Sequence, residues 1–103
     1  MKIPKLAVII PCFNEELCIE STVRKLLEVF NYLIGKNKIA YDSYIYLVDD
    51  GSTDSTWNII EKMHSRNQLI KGLKFIRNYG NQKALIAGLE SVNTIGCDCA
   101  VSI

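Results

Sequence analysis

Three polar segments of this 103-residue chain contain side chains that could bind a nucleotide or a similar ligand. They are Pro11-Cys12-Phe13-Asn14-Glu15, Asp49-Asp50-Gly51-Ser52 and Arg77-Asn78-Tyr79-Gly80. The ring of Phe13 could stack on a base, and the carboxylates of Asp49 and Asp50 could accept hydrogen bonds from a base or a ribose. The guanidinium of Arg77 could pair with phosphate oxygens, and Gly80 would let the backbone approach a ligand closely.

Each of these residues also has a plainer structural interpretation, which the sequence leaves open. Asp-Gly is a common turn pair, so Asp50 could simply cap a turn. Phe13 could cover the edge of a sheet, and Asn14 and Glu15 could start a helix rather than contact a ligand. Arg77 could form a surface ion pair.

The two adjacent aspartates are expected to have different roles. Because Asp49 and Asp50 are neighbours at the end of a strand, their side chains point in different directions. We expect one carboxylate to face the ligand and the other to orient the amides of a loop.

The periodicity of apolar residues predicts the elements that position these segments. Continuous apolar runs predict strands at 6–10, ended by Pro11, at 44–48 and at about 70–76, and a fourth strand from 99 that is cut off. Helical spacing predicts three helices, of which the first runs from Ile19 and stops at Gly35. Ser52 or Thr53 is expected to cap the second helix.

The second and third helices each have a predicted apolar face. These faces comprise Trp57, Ile60 and Met63 in the second helix, and Ala84, Leu85, Gly88, Leu89 and Val92 in the third. Strands that alternate with helices through short connections predict an α/β fold with a parallel, doubly wound sheet of strand order 3-2-1-4. Ligands of such sheets bind beyond the carboxyl ends of the strands, where all three polar segments lie.

Composition limits the kinds of partner that we expect and the cellular compartment in which the chain would fold. The net charge is +1, with 12 basic and 11 acidic residues and no run of Lys or Arg, so we expect no nucleic-acid partner. No apolar stretch approaches the 18 residues of a membrane span. The four cysteines are Cys12, Cys18, Cys97 and Cys99, and their pattern favours reduced, structural thiols in a cytosolic setting.

The three polar segments, with the residues around them, resemble the family-two inverting glycosyltransferases of the GT-A fold. The resemblance rests on Val8-Ile9-Ile10-Pro11-Cys12-Phe13-Asn14-Glu15-Glu16, on Tyr46-Leu47-Val48-Asp49-Asp50-Gly51-Ser52-Thr53-Asp54, and on Arg77-Asn78-Tyr79-Gly80-Asn81-Gln82-Lys83-Ala84-Leu85-Ile86-Ala87-Gly88. The third segment is most similar to the branch that transfers sugars to polyprenyl phosphates, such as dolichol-phosphate mannose synthases and bactoprenol glucosyltransferases.

The resemblance implies a site for the nucleotide of a UDP- or GDP-sugar. It places Pro11, Phe13 and Glu15 in the base and ribose pocket, with Phe13 replacing the commoner tyrosine. Asp50 falls where an acidic side chain recognises the base. The full set of predicted nucleotide-binding residues is Pro11, Phe13, Asn14, Glu15, Asp49, Asp50, Arg77, Asn78 and Gly80.

The resemblance also implies that part of the active site lies outside this chain. The family's next motif is an Asp-x-Asp that binds Mg²⁺ or Mn²⁺, and it is expected just after Ile103. Residues 1–103 are therefore expected to be the N-terminal nucleotide-binding part of one glycosyltransferase domain, inactive alone, with no catalytic or metal-binding residue of its own. The parent would act at the cytoplasmic face of the membrane on a lipid-phosphate acceptor, and the cut sheet edge could pair with another copy.

Other proteins with similar short motifs fit less well. Response-regulator receivers have an acidic pair after the first strand, whereas Asp49 and Asp50 follow the second. Haloacid-dehalogenase phosphatases need Asp-x-Asp-Gly-Thr, and dinucleotide dehydrogenases need a Gly-x-Gly-x-x-Gly after the first strand, where this chain has Cys12-Phe13-Asn14. A non-catalytic nucleotide-binding or interaction domain of the same fold stays open as an alternative.

Overall fold

The structure, a computed structural model, describes residues 2–103. These residues form four strands and three helices that alternate along the chain. The elements are β1 (Leu6–Cys12), α1 (Ile19–Gly35), β2 (Tyr44–Asp49), α2 (Thr56–Arg66), β3 (Ile70–Lys74), α3 (Asn81–Ile95) and β4 (Cys99–Ser102). The predicted order of strands and helices is confirmed.

The strands form one parallel sheet in the order β3-β2-β1-β4, as predicted. The central strands β1 and β2 are in register from Ala7 opposite Tyr44 to Cys12 opposite Asp49. All the carboxyl ends of the strands therefore lie at one edge of the sheet, and the three polar segments follow β1, β2 and β3 at that edge.

Helices cover both faces of the central strands. On one face, helices α1 and α2 pack Ile19, Phe30 and Ile60 against Val8 and Ile10 of β1. On the opposite face, the core of α3 consists of Ala84, Gly88 and Val92, and it packs against Ala7, Ile9 and Val48. Burial on both faces explains why β1 and β2 are continuous apolar runs rather than alternating ones.

The first strand continues past the proline that was expected to end it. Pro11 lies within β1 opposite Val48, and Cys12 follows it in the strand. The Cys12 carbonyl accepts the Asp50 amide on the β2 side, whereas the Ile9 carbonyl accepts the Ile103 amide on the β4 side. Alternation along the strand turns the nitrogen of Pro11 away from β2, so the hydrogen bonds between β1 and β2 need no donor from it.

The expected capping of the second helix is wrong. Helix α2 begins at Thr56, four residues beyond Ser52, and the hydroxyl of Ser52 is used elsewhere. The Asp54 carboxylate instead accepts hydrogen bonds from both the amide and the hydroxyl of Thr56. An aspartate that bonds the backbone two residues ahead forms an Asx-turn, which competes with Ser and Thr for this position.

Two surfaces of the molecule, at Leu89 of α3 and along β4, are exposed to solvent. Leu89, expected on the buried face of α3, is 45% exposed, and every residue of β4 is exposed. No helix among residues 2–103 combines the length and the hydrophobicity that a membrane span requires.

Candidate functional site

A cavity of about 320 Å³ opens at the carboxyl edge of the sheet, between the loops that follow β1, β2 and β3. Its walls are Pro11, Cys12, Phe13, Glu15, Asp50, Asn78, Gly80 and Asn81. This volume lies at the lower end of the range for small-molecule sites. The position is the one expected for a ligand of a parallel α/β sheet.

Six predicted site residues meet in this cavity, and three do not. Those that line it are Pro11, Phe13, Glu15, Asp50, Asn78 and Gly80. Asn14, Asp49 and Arg77 lie at the same edge of the sheet but outside the lining.

Two lining residues, Cys12 and Asn81, were not anticipated. Each is the direct neighbour of predicted residues in its segment, and that adjacency was the signal available in the sequence.

The aromatic ring at the cavity is exposed rather than part of the core. Phe13 is 42% exposed, although it directly follows a strand whose last residue, Cys12, is buried. A phenyl ring that is left exposed beside a cavity provides a flat apolar surface for a planar ligand group. The alternative in which Phe13 covers the core is therefore not what the structure contains.

The carboxylate of Asp50 holds the loop between β3 and α3. Its Oδ1 accepts the amide of Tyr79 at 2.7 Å, and its Oδ2 accepts the amide of Gly80 at 3.0 Å. The side-chain amide of Asn78 donates to the Asp50 carbonyl at 3.3 Å. Asp50 is only 4% exposed, so these bonds replace most of its contact with water.

Gly51 lets the backbone of the next loop pass directly over it. A Cβ at this position would lie 2.1 Å from the carbonyl carbon of Arg77 and 2.4 Å from the amide nitrogen of Asn78. Gly51 also has φ +72°, which glycine adopts without strain. The Asp-Gly turn after β2 is therefore interlocked with the loop after β3.

The other aspartate, Asp49, acts within its own turn. Its Oδ1 accepts the amide of Ser52 at 3.1 Å and also the Ser52 hydroxyl. Its Oδ2 is buried and has no hydrogen-bond partner among residues 2–103. Both aspartates therefore orient loop amides. Asp49 is fully buried, and only Asp50 also lines the cavity.

Asn14 joins the loop after β1 to the loop after β2. Its backbone has φ +52°, and its amide donates to the Ser52 hydroxyl at 2.8 Å. Its side-chain carbonyl accepts the amide of Thr53 at 2.8 Å and, more weakly, that of Asp54 at 3.4 Å. We refer to these contacts, made by Asn14 with Ser52, Thr53 and Asp54, as the clasp. The Asn14 side chain is thus bonded to protein and not directed into the cavity.

Replacing Asn14 with alanine is expected to lower the free energy of unfolding by about 1–2 kcal/mol. The variant loses the hydrogen bond to the Thr53 amide, which contributes about 0.5–1.5 kcal/mol, and places a less tolerant residue at positive φ. Asn14→Gly serves as the control, because it loses the same bond without the backbone strain. Urea denaturation measures both, and an Asn14→Ala variant as stable as the wild type would show that the clasp is unimportant.

The carboxylate of Asp54, whose amide belongs to the clasp, makes this region sensitive to acid. Partial burial raises the pKa of Asp54, but hydrogen bonds from the Thr56 hydroxyl and amide and from the Glu16 amide outweigh it, so the pKa is lowered. A carboxyl group whose pKa is lower in the folded state stabilises the fold above its unfolded pKa. That contribution is lost as the pH falls through the lowered value.

Arg77 is exposed and packs on an aromatic ring. Its guanidinium carbon lies 5.0 Å from the centre of the Tyr79 ring, and the Lys83 ammonium lies 5.9 Å from the same centre. The Phe75 ring packs edge-on against the Tyr79 ring, with 5.4 Å between the two ring centres. Within residues 2–103 Arg77 has no carboxylate within salt-bridge distance, so the alternative of a surface ion pair is not what the structure contains.

The walls of the cavity are acidic. Burial, followed by the charges of Asp49, Glu15, Asp54 and Asp50, raises the pKa of Cys12 to about 12. Cys12 is therefore a neutral thiol at physiological pH, surrounded by carboxylates. Such a site favours groups that donate hydrogen bonds and opposes an uncompensated phosphate.

The described residues do not fit a divalent metal ion. Among residues 2–103, no group of three His, Cys, Asp or Glu side chains lies close enough to hold one. Both oxygens of Asp50 and Oδ1 of Asp49 already accept loop amides, which leaves the buried Oδ2 of Asp49, whereas Mg²⁺ or Mn²⁺ requires several free oxygen ligands.

A second cleft, of about 400 Å³, lies between α1 and α2. It is lined by Val23, Leu27, Met63 and Ile70 with polar residues at its rim, and by none of the predicted site residues. Its lining is an apolar floor with charged and polar residues at the rim, and we assign it no role.

Comparison with known proteins identifies relatives along most of the chain. The family model described as Glycosyl transferase family 2 matches residues 7–94. A Bacillus subtilis protein described as uncharacterized glycosyltransferase YkoT is 46% identical over 100 residues, which are 97% of this chain and 29% of the relative. A prophage bactoprenol glucosyl transferase homolog of Escherichia coli is 35% identical over 89 residues, covering 84% of this chain and 26% of that protein.

Solved structures show the same fold. S. aureus TarS superimposes with a TM-score of 0.65 at 25% identity, covering 96% of this chain and 16% of that one. A mannosyltransferase from Pyrobaculum calidifontis, solved with GDP-Man and Mn²⁺, has a TM-score of 0.65 at 22% identity, covering 88% of this chain and 25% of its own. The chain thus spans less than a third of the length of each of these relatives.

Proposed function

Because this chain belongs to glycosyl transferase family 2 and has the GT-A fold, we propose that its cavity binds the nucleoside part of a nucleotide-diphosphate sugar. The observation that carries the proposal is the half-exposed Phe13 ring beside a cavity that also contains the carboxylates of Asp50 and Glu15. Stacking on Phe13 would hold the base, and the carboxylates would accept hydrogen bonds from base or ribose donors.

The charge of the cavity supports a nucleoside rather than a diphosphate as its occupant. Glu15 and Asp50 lie in its walls, and the cations of Arg77 and Lys83 lie outside them. A diphosphate placed among the carboxylates would be repelled unless a cation compensated its charge. We therefore place the diphosphate outside this cavity.

The transfer step is proposed to require residues beyond those described. In such a transfer a divalent cation neutralises the leaving diphosphate, and residues 2–103 offer no group of ligands for it. We propose that Mg²⁺ or Mn²⁺ is held by an Asp-x-Asp following Ile103 in a longer protein and that residues 1–103 alone are inactive. A longer gene product without that motif would favour a non-catalytic nucleotide-binding domain.

A lipid-linked acceptor is the proposed destination of the sugar. The support is the bactoprenol glucosyl transferase relatives, which are 35% identical to this chain over 84% of its length. Such an acceptor would place the parent protein at the cytoplasmic face of a membrane.

The exposed β4 edge offers unpaired backbone groups through which two copies of residues 1–103 could associate.

Titration of the 103-residue protein with UDP and GDP tests the proposal, and Phe13 provides the sharpest variants. Phe13→Leu removes the ring but keeps an apolar side chain, so it is expected to weaken binding of the preferred nucleotide about 2- to 13-fold. That factor corresponds to the roughly 0.5–1.5 kcal/mol that an aromatic contact contributes beyond burial. Isothermal titration calorimetry measures the change.

Phe13→Tyr is the matched control, because it keeps the ring and adds only a hydroxyl. It is expected to bind as tightly as the wild type. Equal weakening by both variants would mean that the ring does not stack on the base. Failure of the wild type to bind UDP, GDP or any other nucleoside diphosphate would contradict the proposed function itself.

A further inference from the structure

Asp50, in the loop after β2, is bonded to the two neighbouring walls of the cavity. Its amide donates to the Cys12 carbonyl at the end of β1 at 2.8 Å. Its carbonyl accepts the side-chain amide of Asn78, and its carboxylate accepts the amides of Tyr79 and Gly80. Through this one residue the end of β1, the loop after β2 and the loop after β3 are joined.

We propose that Asp50 is a positioning residue, which sets the nucleotide affinity of the cavity by holding Asn78 and Gly80 in place as one of its walls. The inference rests on the proposed function and adds a mechanism to it. Asn78 and Gly80 line the cavity themselves, and both are bonded to Asp50.

The chemistry of the site requires a carboxylate here. Two N–H donors approach the two oxygens of Asp50 at 2.7 and 3.0 Å, and an ionised carboxylate can accept both. Asparagine offers one carbonyl oxygen, so its NH₂ group would have to face the other N–H donor. Because Asp50 is 4% exposed, water cannot readily replace the lost partner.

The backbone of this loop cannot move closer to the loop after β2. The chain at Arg77 and Asn78 passes so close above Gly51 that a Cβ would lie within 2.6 Å of three of its backbone atoms. When the Asp50 bonds are lost, the loop can only move outward. The fraction of molecules in which Asn78 and Gly80 are in place then falls. The apparent dissociation constant for the nucleotide rises by the inverse of that fraction.

The test compares Asp50→Asn with the wild-type protein by two measurements. Amide hydrogen exchange of Tyr79 and Gly80, followed by NMR without nucleotide, is expected to be about 10- to 150-fold faster in the variant, which is the factor that corresponds to the loss of a hydrogen bond to a charged group. Calorimetric titration with UDP or GDP is expected to show a dissociation constant raised by a similar factor per folded molecule.

Asp98→Asn is the matched control. The Asp98 carboxylate also holds a backbone amide, that of Lys5 at 2.8 Å, but at the amino end of β1 and β4, opposite to the cavity. This variant is expected to lose stability without a change in nucleotide affinity or in exchange at Tyr79 and Gly80.

A double-mutant cycle with Asn78→Ala separates positioning from direct contact. If Asp50 acts through the loop, Asn78→Ala weakens binding less in the Asp50→Asn background than in the wild type, so the two effects are not additive. Additive effects together with unchanged exchange at Tyr79 and Gly80 would make Asp50 a direct ligand only, and would overturn the inference.

Two other outcomes would also decide the question. Faster exchange with an unchanged dissociation constant would make Asp50 merely structural and would overturn the inference while leaving the proposed function intact. A wild-type protein that binds no nucleotide would remove the proposed function and this inference together, whereas the exchange measurement would still show whether Asp50 holds the loop.

Discussion

Gly51→Ala is expected to lower the free energy of unfolding by about 2–6 kcal/mol and to open the cavity. A residue with a Cβ at φ +72° is strained by about 1–3 kcal/mol, and the overpacking adds about 1–3 kcal/mol. The overpacking cannot be relieved by a rotamer change, since the atoms 2.1–2.6 Å from the new Cβ all belong to the backbone of Arg77 and Asn78. Urea denaturation followed by circular dichroism measures the loss.

Gly96→Ala separates strain from collision in this experiment. Gly96 also has positive φ, but an added Cβ there would have no heavy atom within 4 Å. It should show backbone strain alone, and that strain is not smaller than at Gly51, because φ +107° with ψ +133° is a conformation nearly restricted to glycine. A larger loss in Gly51→Ala than in Gly96→Ala would therefore come from the overpacking. A Gly51→Ala variant as stable as the wild type would mean that the loop after β3 moves aside freely, which would also weaken the case for a fixed wall at Asn78 and Gly80.

Gly88→Ala is expected to lower the free energy of unfolding by up to about 2 kcal/mol, because overpacking costs about 1–3 kcal/mol and alanine regains about 1 kcal/mol of helix propensity. Gly88 is where α3 lies closest to the sheet, and a Cβ there would come within 2.6 Å of the Cγ2 atom of Ile9 and 3.2 Å of that of Val48. Ile9 is fully buried, so its side chain has little room to move. Thermal denaturation should show the loss as a lower Tm.

Two further variants test the cause of that loss. Gly35→Ala is the control, because Gly35 ends α1 with no atom within 4 Å of an added Cβ, and alanine should there be neutral or slightly stabilising. Ile9→Leu removes the branch at Cβ that the new methyl would meet. The double variant Gly88→Ala with Ile9→Leu should therefore be more stable than the sum of the single changes predicts.

The fold could be predicted from the sequence because its signals are local. The continuous apolar runs at 6–10 and 44–48 record burial on both faces, and helical spacing marks the stripe that each helix presents to the sheet. The boundaries were less accurate. Pro11 remains in β1 since its nitrogen, which lacks a hydrogen, faces away from β2, and the side on which each backbone group pairs depends on strands that are distant in the chain.

The location of the site could also be predicted, but the partner of each polar group could not. Parallel strands bring their following loops to one edge, so Phe13 and Asp50 were expected to lie together, and they do. Hydrogen bonds such as that from Tyr79 to Asp50 join residues 29 positions apart, and no local pattern encodes them. Asn14 did carry a signal, because asparagine is among the few residues that readily adopt positive φ.

The thiol in the wall of the cavity bears on the design of inhibitors. With a pKa of about 12, Cys12 stays protonated at pH 7, so an electrophile delivered to the cavity would find almost no thiolate to attack. The exposed thiols of Cys18 and Cys99 would react first, away from the cavity. Compounds directed at this cavity therefore have to depend on reversible, shape-matched contacts with Phe13 and on hydrogen-bond donors for its carboxylates, and covalent warheads would label the wrong positions.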